Sequence, residues 1–198
     1  MSLFLDAAIK WNSLQNTEYR ILLGHKNSAV ELKVIFRAED FDHLSGMHYA
    51  ADVDFGLHRN QYRGSKLVPA LLTGKLDGTL IEKSQSWGKI SERLLAVLCL
   101  DLILESEFSI YKFERFKLPF HSEIKAAYCI FSEKYQSGVF LFLDRDNKYY
   151  YCKSIFEKDW NDYRTNQVKW TVLKKEKVTE AGTEIIFVHK SFVEPVGV

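Results

Sequence analysis

Val139-Phe140-Leu141-Phe142-Leu143-Asp144-Arg145-Asp146-Asn147-Lys148-Tyr149-Tyr150-Tyr151-Cys152 is the stretch whose reading decides the fold. The first five residues are an apolar run of strand length. The Asp/Asn cluster is a turn signal, and the aromatic residues after it read as a returning strand. The acidic cluster superficially suggests a calcium loop. It lacks the glycine and glutamate that positions six and twelve need, where Tyr149 and Ile155 stand, so it reads as a turn. Working outward, residues 109–116, 126–131, 168–176 and 184–189 also read as strands. Lys117-Leu118-Pro119, Gln136-Ser137-Gly138 and Glu180-Ala181-Gly182 separate them.

Upstream the pattern changes. Residues 2–16 carry apolar side chains near one side of a helix, with Ser2 as its N-cap. Residues 19–24 and 30–36 form a hairpin about Lys26-Asn27-Ser28. Asp40 is placed to cap a helix over 41–51. Residues 52–63 read as a loop or broken helix, 65–72 and 81–84 as short helical pieces, and 91–105 as a strong, centrally packed helix. The expected fold is one α+β domain over residues 1–198, a helical N-terminal half packed on an antiparallel β-meander.

Composition constrains function only loosely. The chain has 198 residues, 46% of them hydrophobic and 27% charged, with a net charge of +1. A domain of this size buries about 70% of its unfolded surface, so it needs no disulfide or metal staple. The near-neutral balance argues against a protein that wraps duplexes through bulk charge, while a local cationic pocket remains compatible with it. Cys99, Cys129 and Cys152 are odd in number and far apart, which suits a reducing compartment and buried small hydrophobes rather than zinc. No signal-peptide pattern or membrane span is read, so the expected location is the cytoplasm.

At Phe41-Asp42-His43-Leu44-Ser45-Gly46-Met47-His48 the chain resembles the phage-associated barnase/EndoU/colicin/RelE-like nucleases, in their fourth phage group. The resemblance continues through Arg63-Gly64-Ser65, Ile110-Tyr111-Lys112-Phe113, Ile124-Lys125-Ala126-Ala127-Tyr128, Leu141-Phe142-Leu143 and residues 168–177. It implies helices on a compact antiparallel sheet and a nuclease role in phages or other mobile elements.

Metal-free RNA cleavage needs a base for the ribose 2′-hydroxyl, an acid for the leaving 5′-oxygen, and cations or donors for the phosphorane. Histidine suits the first two tasks, because it titrates near neutrality. His43 and His48 are the candidates. Their spacing of five sets them about 140° apart on an ideal helix, so both reach one substrate only if Gly46 breaks that helix. Otherwise one histidine acts alone with partners from the sheet. Lys112 and Lys125 are the candidate cations in strands, since Lys112 interrupts an apolar pattern; the competing reading is a solvated lysine on an open face. Arg63 and Ser65 are candidate phosphate contacts, against an ordinary loop with a capping serine. Tyr111 and Tyr128 are candidate base-stacking residues, against ordinary core aromatics. His25, His58, His121 and His189 lie at expected turns or strand ends, with no spacing that implies a metal.

The expected activity is therefore a metal-independent ribonuclease with RNA as partner and no cofactor. The alternatives are a non-catalytic interaction protein that inhibits a host defence ribonucleoprotein in the manner of an anti-CRISPR protein, or a toxin held by an antitoxin. The abundance of Tyr and Phe suits the interaction reading.

Overall fold

A computed structural model describes residues 2–55, 62–133 and 138–193. His58 and part of the turn expected at Gln136-Ser137-Gly138 lie outside the described residues. In chain order the elements are α1 (Leu3–Leu14), β1 (Glu18–His25), β2 (Ser28–Ile35), α2 (Asp40–Leu44), α3 (Leu67–Leu72), α4 (Trp87–Leu98), α5 (Leu100–Glu105), β3 (Ser109–Lys112), β4 (Tyr128–Ser132), β5 (Val139–Asp146), β6 (Tyr149–Glu157), β7 (Val168–Thr179) and β8 (Gly182–Val188).

The helical half on an antiparallel meander is not what forms. The strands run in the order β1-β2-β6-β5-β4-β3-β7, and a further β1–β7 pairing closes them into a seven-stranded mixed barrel, with β8 added to β7. Two long-range pairings overturn the expectation. The β1–β2 hairpin does not stay with the helices: β1 lies antiparallel along β7, from Glu18↔Val178 to Gly24↔Thr171. Its partner β2 meets β6 in parallel, through Val34↔Tyr150 and Ile35↔Tyr151. The physical reason is that a free hairpin leaves two rows of backbone donors and acceptors unpaired, and closure satisfies them. The β7 strand is long enough to bind β1 together with β3 at Val168–Trp170 and β8 at Lys174–Thr179.

The wall is buried on both faces where β4 and β5 run. Strand alternation divides its side chains. Tyr128, Ile130, Val139, Leu141 and Leu143 join the large core that also takes in the helices. Cys129, Phe131, Phe140 and Phe142 join a second cluster, covered by Phe113, Leu118, Phe120 and Tyr163. This two-sided burial explains the unbroken apolar run at 139–143. Cys129 and Cys152 are buried and Cys99 is half-buried; all three are free thiols.

The helices are short. In α1, Ser2 caps by accepting from the Leu5 amide at 3.2 Å, and Phe4, Ala7, Ala8, Trp11 and Leu14 turn inward. The helix expected over 91–105 begins earlier, at Trp87, and is divided at Cys99 into α4 and α5. Among the described residues, no helix is long and apolar enough to cross a membrane.

Candidate functional site

The helix expected over 41–51 is the piece that builds the site, because it does not run to its expected end. After α2 the chain turns at Gly46, which takes φ +76, and resumes as a 3-10 turn over Met47–Tyr49. Only glycine adopts that left-handed backbone without penalty. The turn is closed by Ser45 N–H donating to Phe41 O at 2.8 Å and Tyr49 N–H to Gly46 O at 2.8 Å. The break removes the 140° separation. The rings of His43 and His48 stack, with centroids 5.1 Å apart and planes 13° from parallel. His48 also lies against Tyr49, at 4.0 Å between centroids.

Arg93, from α4, crosses this turn. A side chain added at Gly46 would meet Arg93 Cδ and Tyr49 Cδ2, each at 3.1 Å. Arg93 Nη2 donates to the Tyr49 hydroxyl at 3.4 Å, and its guanidinium stands 5.4 Å from the Tyr49 ring centroid. Arg93 Nη1, His48 Nδ1 and, on the flank, Asp42 Oδ1 are buried with no hydrogen-bond partner among the described residues. Of these the guanidinium nitrogen is a permanent donor, and an anion is the partner that suits it.

Asp42 fixes the other flank. Its Oδ2 accepts from Arg63 Nε and from the Gly64 amide, both at 2.8 Å. Arg63 is thereby brought close enough to act on His48. Lys153 supplies a third cation from the barrel wall. In the β5–β6 ladder Phe142 faces Ser154 and Leu143 faces Cys152, so Lys153 is the extra residue of a β-bulge.

Both histidines are held below the ordinary imidazole range. For His43 the cause is crowding by protein first, then the Arg93 and Lys153 charges, opposed by Asp42 and Asp40. His43 nonetheless keeps an exposed edge, so its ring remains reachable. For His48 the order is burial, then His43, Arg93 and Arg63, opposed by Asp42. Each is thus biased to the neutral form, which can take a proton from one nitrogen while offering one from the other.

Of the residues singled out in the sequence, His43, His48 and Arg63 come together. Lys112 and Lys125 do not join them through any described hydrogen bond, ion pair or ring contact. Lys112 is exposed on β3, opposite Tyr128 and Val168, three strands round the wall from β6 or about 14 Å. Lys125 is exposed on the segment leading into β4. Ser65 is exposed in a 3-10 turn over Gly64–Lys66, and neither that turn nor α3 has a side-chain cap. Tyr111 is half-buried, opposite Cys129 and Lys169. Tyr128 is a core residue, 7% exposed, packed edge-on against Tyr150 and Trp170.

Tyr49, Arg93 and Lys153 were missed. A signal existed for one of them. Lys153 interrupts an aromatic strand, just as Lys112 interrupts its own, whereas Arg93 follows Ser91 and Glu92 in a polar stretch of its helix and does not stand out. Among the described residues, no group of three His, Cys, Asp or Glu side chains is placed to hold a metal ion.

Comparison with curated proteins and with solved structures gave no match. A family model does match, over residues 4–191, and takes in every residue of the histidine site. Its description names a nuclease of phages likened to barnase, EndoU, colicins E5 and D, and RelE. The chain belongs to the phage-Barnase-EndoU-ColicinE5/D-RelE like nuclease4 family.

Proposed function

We propose that the chain is a ribonuclease that cleaves by attack of a ribose 2′-hydroxyl on the adjacent phosphorus, with His43 and His48 as its proton-transfer pair. The observation that carries this reading is the stacked pair itself beside Arg93, one ring neutral as the base and its neighbour carrying the proton in the reactive state. In the first half of the step one imidazole takes the 2′-hydroxyl proton as the 2′-oxygen bonds to phosphorus. In the second half the other imidazole, in its protonated form, gives a proton to the departing 5′-oxygen, leaving a 2′,3′-cyclic phosphate. Arg93, with a free Nη1 donor, stabilises the charge that builds on the non-bridging oxygens, and Arg63 and Lys153 raise the local positive potential. Because the nucleophile is the 2′-hydroxyl, DNA is spared.

The test is cleavage of single-stranded RNA in EDTA, with the ends analysed for cyclic phosphate. His43→Ala and His48→Ala should each lose about 10²–10⁴-fold, the usual worth of one acid–base group. Arg93→Gln should lose about 10²-fold in kcat. Cleavage that persists in the His43→Ala/His48→Ala double variant would refute the reading.

A further inference from the structure

The outer face of β6 continues the histidine site. Tyr149, Tyr151 and the bulged Lys153 follow one another along it, and the inward residues between them, Tyr150 and Cys152, lie in the large core. Their alternation gives steps of about 6.6 Å, a stride that one nucleotide of an extended single strand can match. Lys153 belongs to both places. Its charge acts on His43, and its Nζ stands 5.8 Å from the Tyr151 ring centroid.

Beside these tyrosines lies a hollow of about 380 Å³, lined by Ile35, Arg37, Asp146, Asn147, Lys148, Tyr149 and Tyr151. Its composition is that of a single-strand nucleic-acid platform, flat rings interleaved with cations. The Arg37 guanidinium already stands over Tyr151, its Cζ 3.8 Å from the centroid, and is fixed there by Asp40 and Asp146. Arg37 and Tyr151 thus form one preassembled cation–ring pair. Lys148 stands 5.0 Å from the Tyr149 centroid. Neither Lys148 nor Lys153 has a carboxylate partner among the described residues, so both charges are available to phosphate. Glu39, Asp40, Asp144 and Asp146 are the nearby anions. Glu39, Asp40 and Asp146 are taken up by Arg37, and Asp144 accepts from the Tyr151 hydroxyl at 3.3 Å.

We infer that this hollow is a subsite for a nucleotide flanking the scissile phosphate of single-stranded RNA. Its base stacks on Tyr149 beside the Arg37–Tyr151 pair, and its backbone phosphates are held by Lys148 and Lys153. The inference rests on the ribonuclease reading for its direction along the chain, since Lys153 is the link to His43. It excludes duplex as the preferred substrate, because a paired base has no free face to offer the ring.

The experiment measures binding of the full chain to fully 2′-O-methylated oligoribonucleotides, which cannot be cleaved by 2′-hydroxyl attack, by fluorescence anisotropy. A two-nucleotide and a five-nucleotide probe are compared. The longer probe should bind at least tenfold more tightly. Tyr149→Ala and Lys148→Gln should remove most of that gain, about tenfold for the lost stack, while Tyr149→Phe retains it. Equal affinity of the Tyr149→Ala variant and the unmutated chain for the longer probe overturns the subsite, and with cleavage intact it leaves the ribonuclease reading standing. Tyr149-dependent binding without any cleavage by the unmutated chain overturns the ribonuclease reading and leaves the subsite. Failure of the unmutated chain to bind either probe overturns the subsite outright.

Discussion

Replacing Gly46 by alanine tests the link between one backbone angle and the histidine pair. The residue sits at φ +76, where an L side chain costs about 1–2 kcal/mol. Its Cβ would meet Arg93 Cδ and Tyr49 Cδ2 at 3.1 Å, closer than comfortable contact, so one of those side chains must shift. Against this, alanine narrows the unfolded ensemble and returns about 0.4–1 kcal/mol. These two terms leave about 0–1.6 kcal/mol, and the displaced side chain adds about 0.5–1.5 kcal/mol, so the net loss is about 1–2 kcal/mol, which for a chain of this length lowers the melting temperature by roughly 5 °C. A chemical consequence accompanies the thermal one. Displacing Arg93 and Tyr49 by a few tenths of an ångström pulls on the groups that hold His48, and since misplacement of about 1 Å costs about 10²-fold in rate, the loss here is about several-fold. Thermal melting, titration of the histidine ring protons by NMR, and RNA cleavage should therefore all change together. Gly46→Asn serves as the control, because asparagine tolerates the left-handed angle but still carries a Cβ. It should recover part of the stability and little of the rate. A Gly46→Ala protein with the same melting temperature and the same histidine titration as the unmutated chain would refute the reasoning.

The histidines also give the fold a pH dependence. Both have a folded pKa below the unfolded value of 6.5. As pH falls below about 6.5 the unfolded chain takes up protons that the folded chain resists, so stability is full above that pH and is lost below it. Urea midpoints measured from pH 5 to 8 should show this fall, and the His43→Gln/His48→Gln double variant should show less of it. Lys175, 4% exposed, donates from Nζ to Leu104 O at 2.9 Å, Glu105 O at 3.2 Å and Ser106 O, closing the end of α5. Lys175→Met keeps the bulk and orphans those carbonyls, and should cost about 3 kcal/mol in denaturant unfolding, with no change in histidine titration.

The eight strands were legible because each is bounded by its own turn chemistry and carries strand-forming residues. Val139–Asp146 and Tyr149–Glu157 are the plainest case, joined by the turn at Asn147, whose φ is +53. What could not be read was who pairs with whom beyond a hairpin. Nothing local in Tyr19–Leu23 distinguishes a strand that stays with α1 from one that reaches 150 residues along the chain to β7. The parallel β2–β6 contact is likewise set by closure rather than by any turn. The site divides the same way. His43 and His48 stood out by type and spacing, and Gly46 was the stated condition for their meeting. Lys153 gains its position from an offset between two ladders, and no periodicity within β6 shows such an offset.

The ring of strands is fastened unevenly. Most neighbours share four rungs or more, whereas β2 and β6 share the two at Val34↔Tyr150 and Ile35↔Tyr151. That junction works as a clasp on a bracelet, the first place to part when the band is stretched. The chain leaving β2 runs straight through Arg37 and Asp40 into α2 and the histidines, while β6 carries Lys153 and both tyrosines of the hollow. The two sides of the clasp therefore carry the two sides of the site. Slackening it by a rung separates His43 and His48 from Lys153, so the arrangement of these side chains and the integrity of the closed wall rise and fall together.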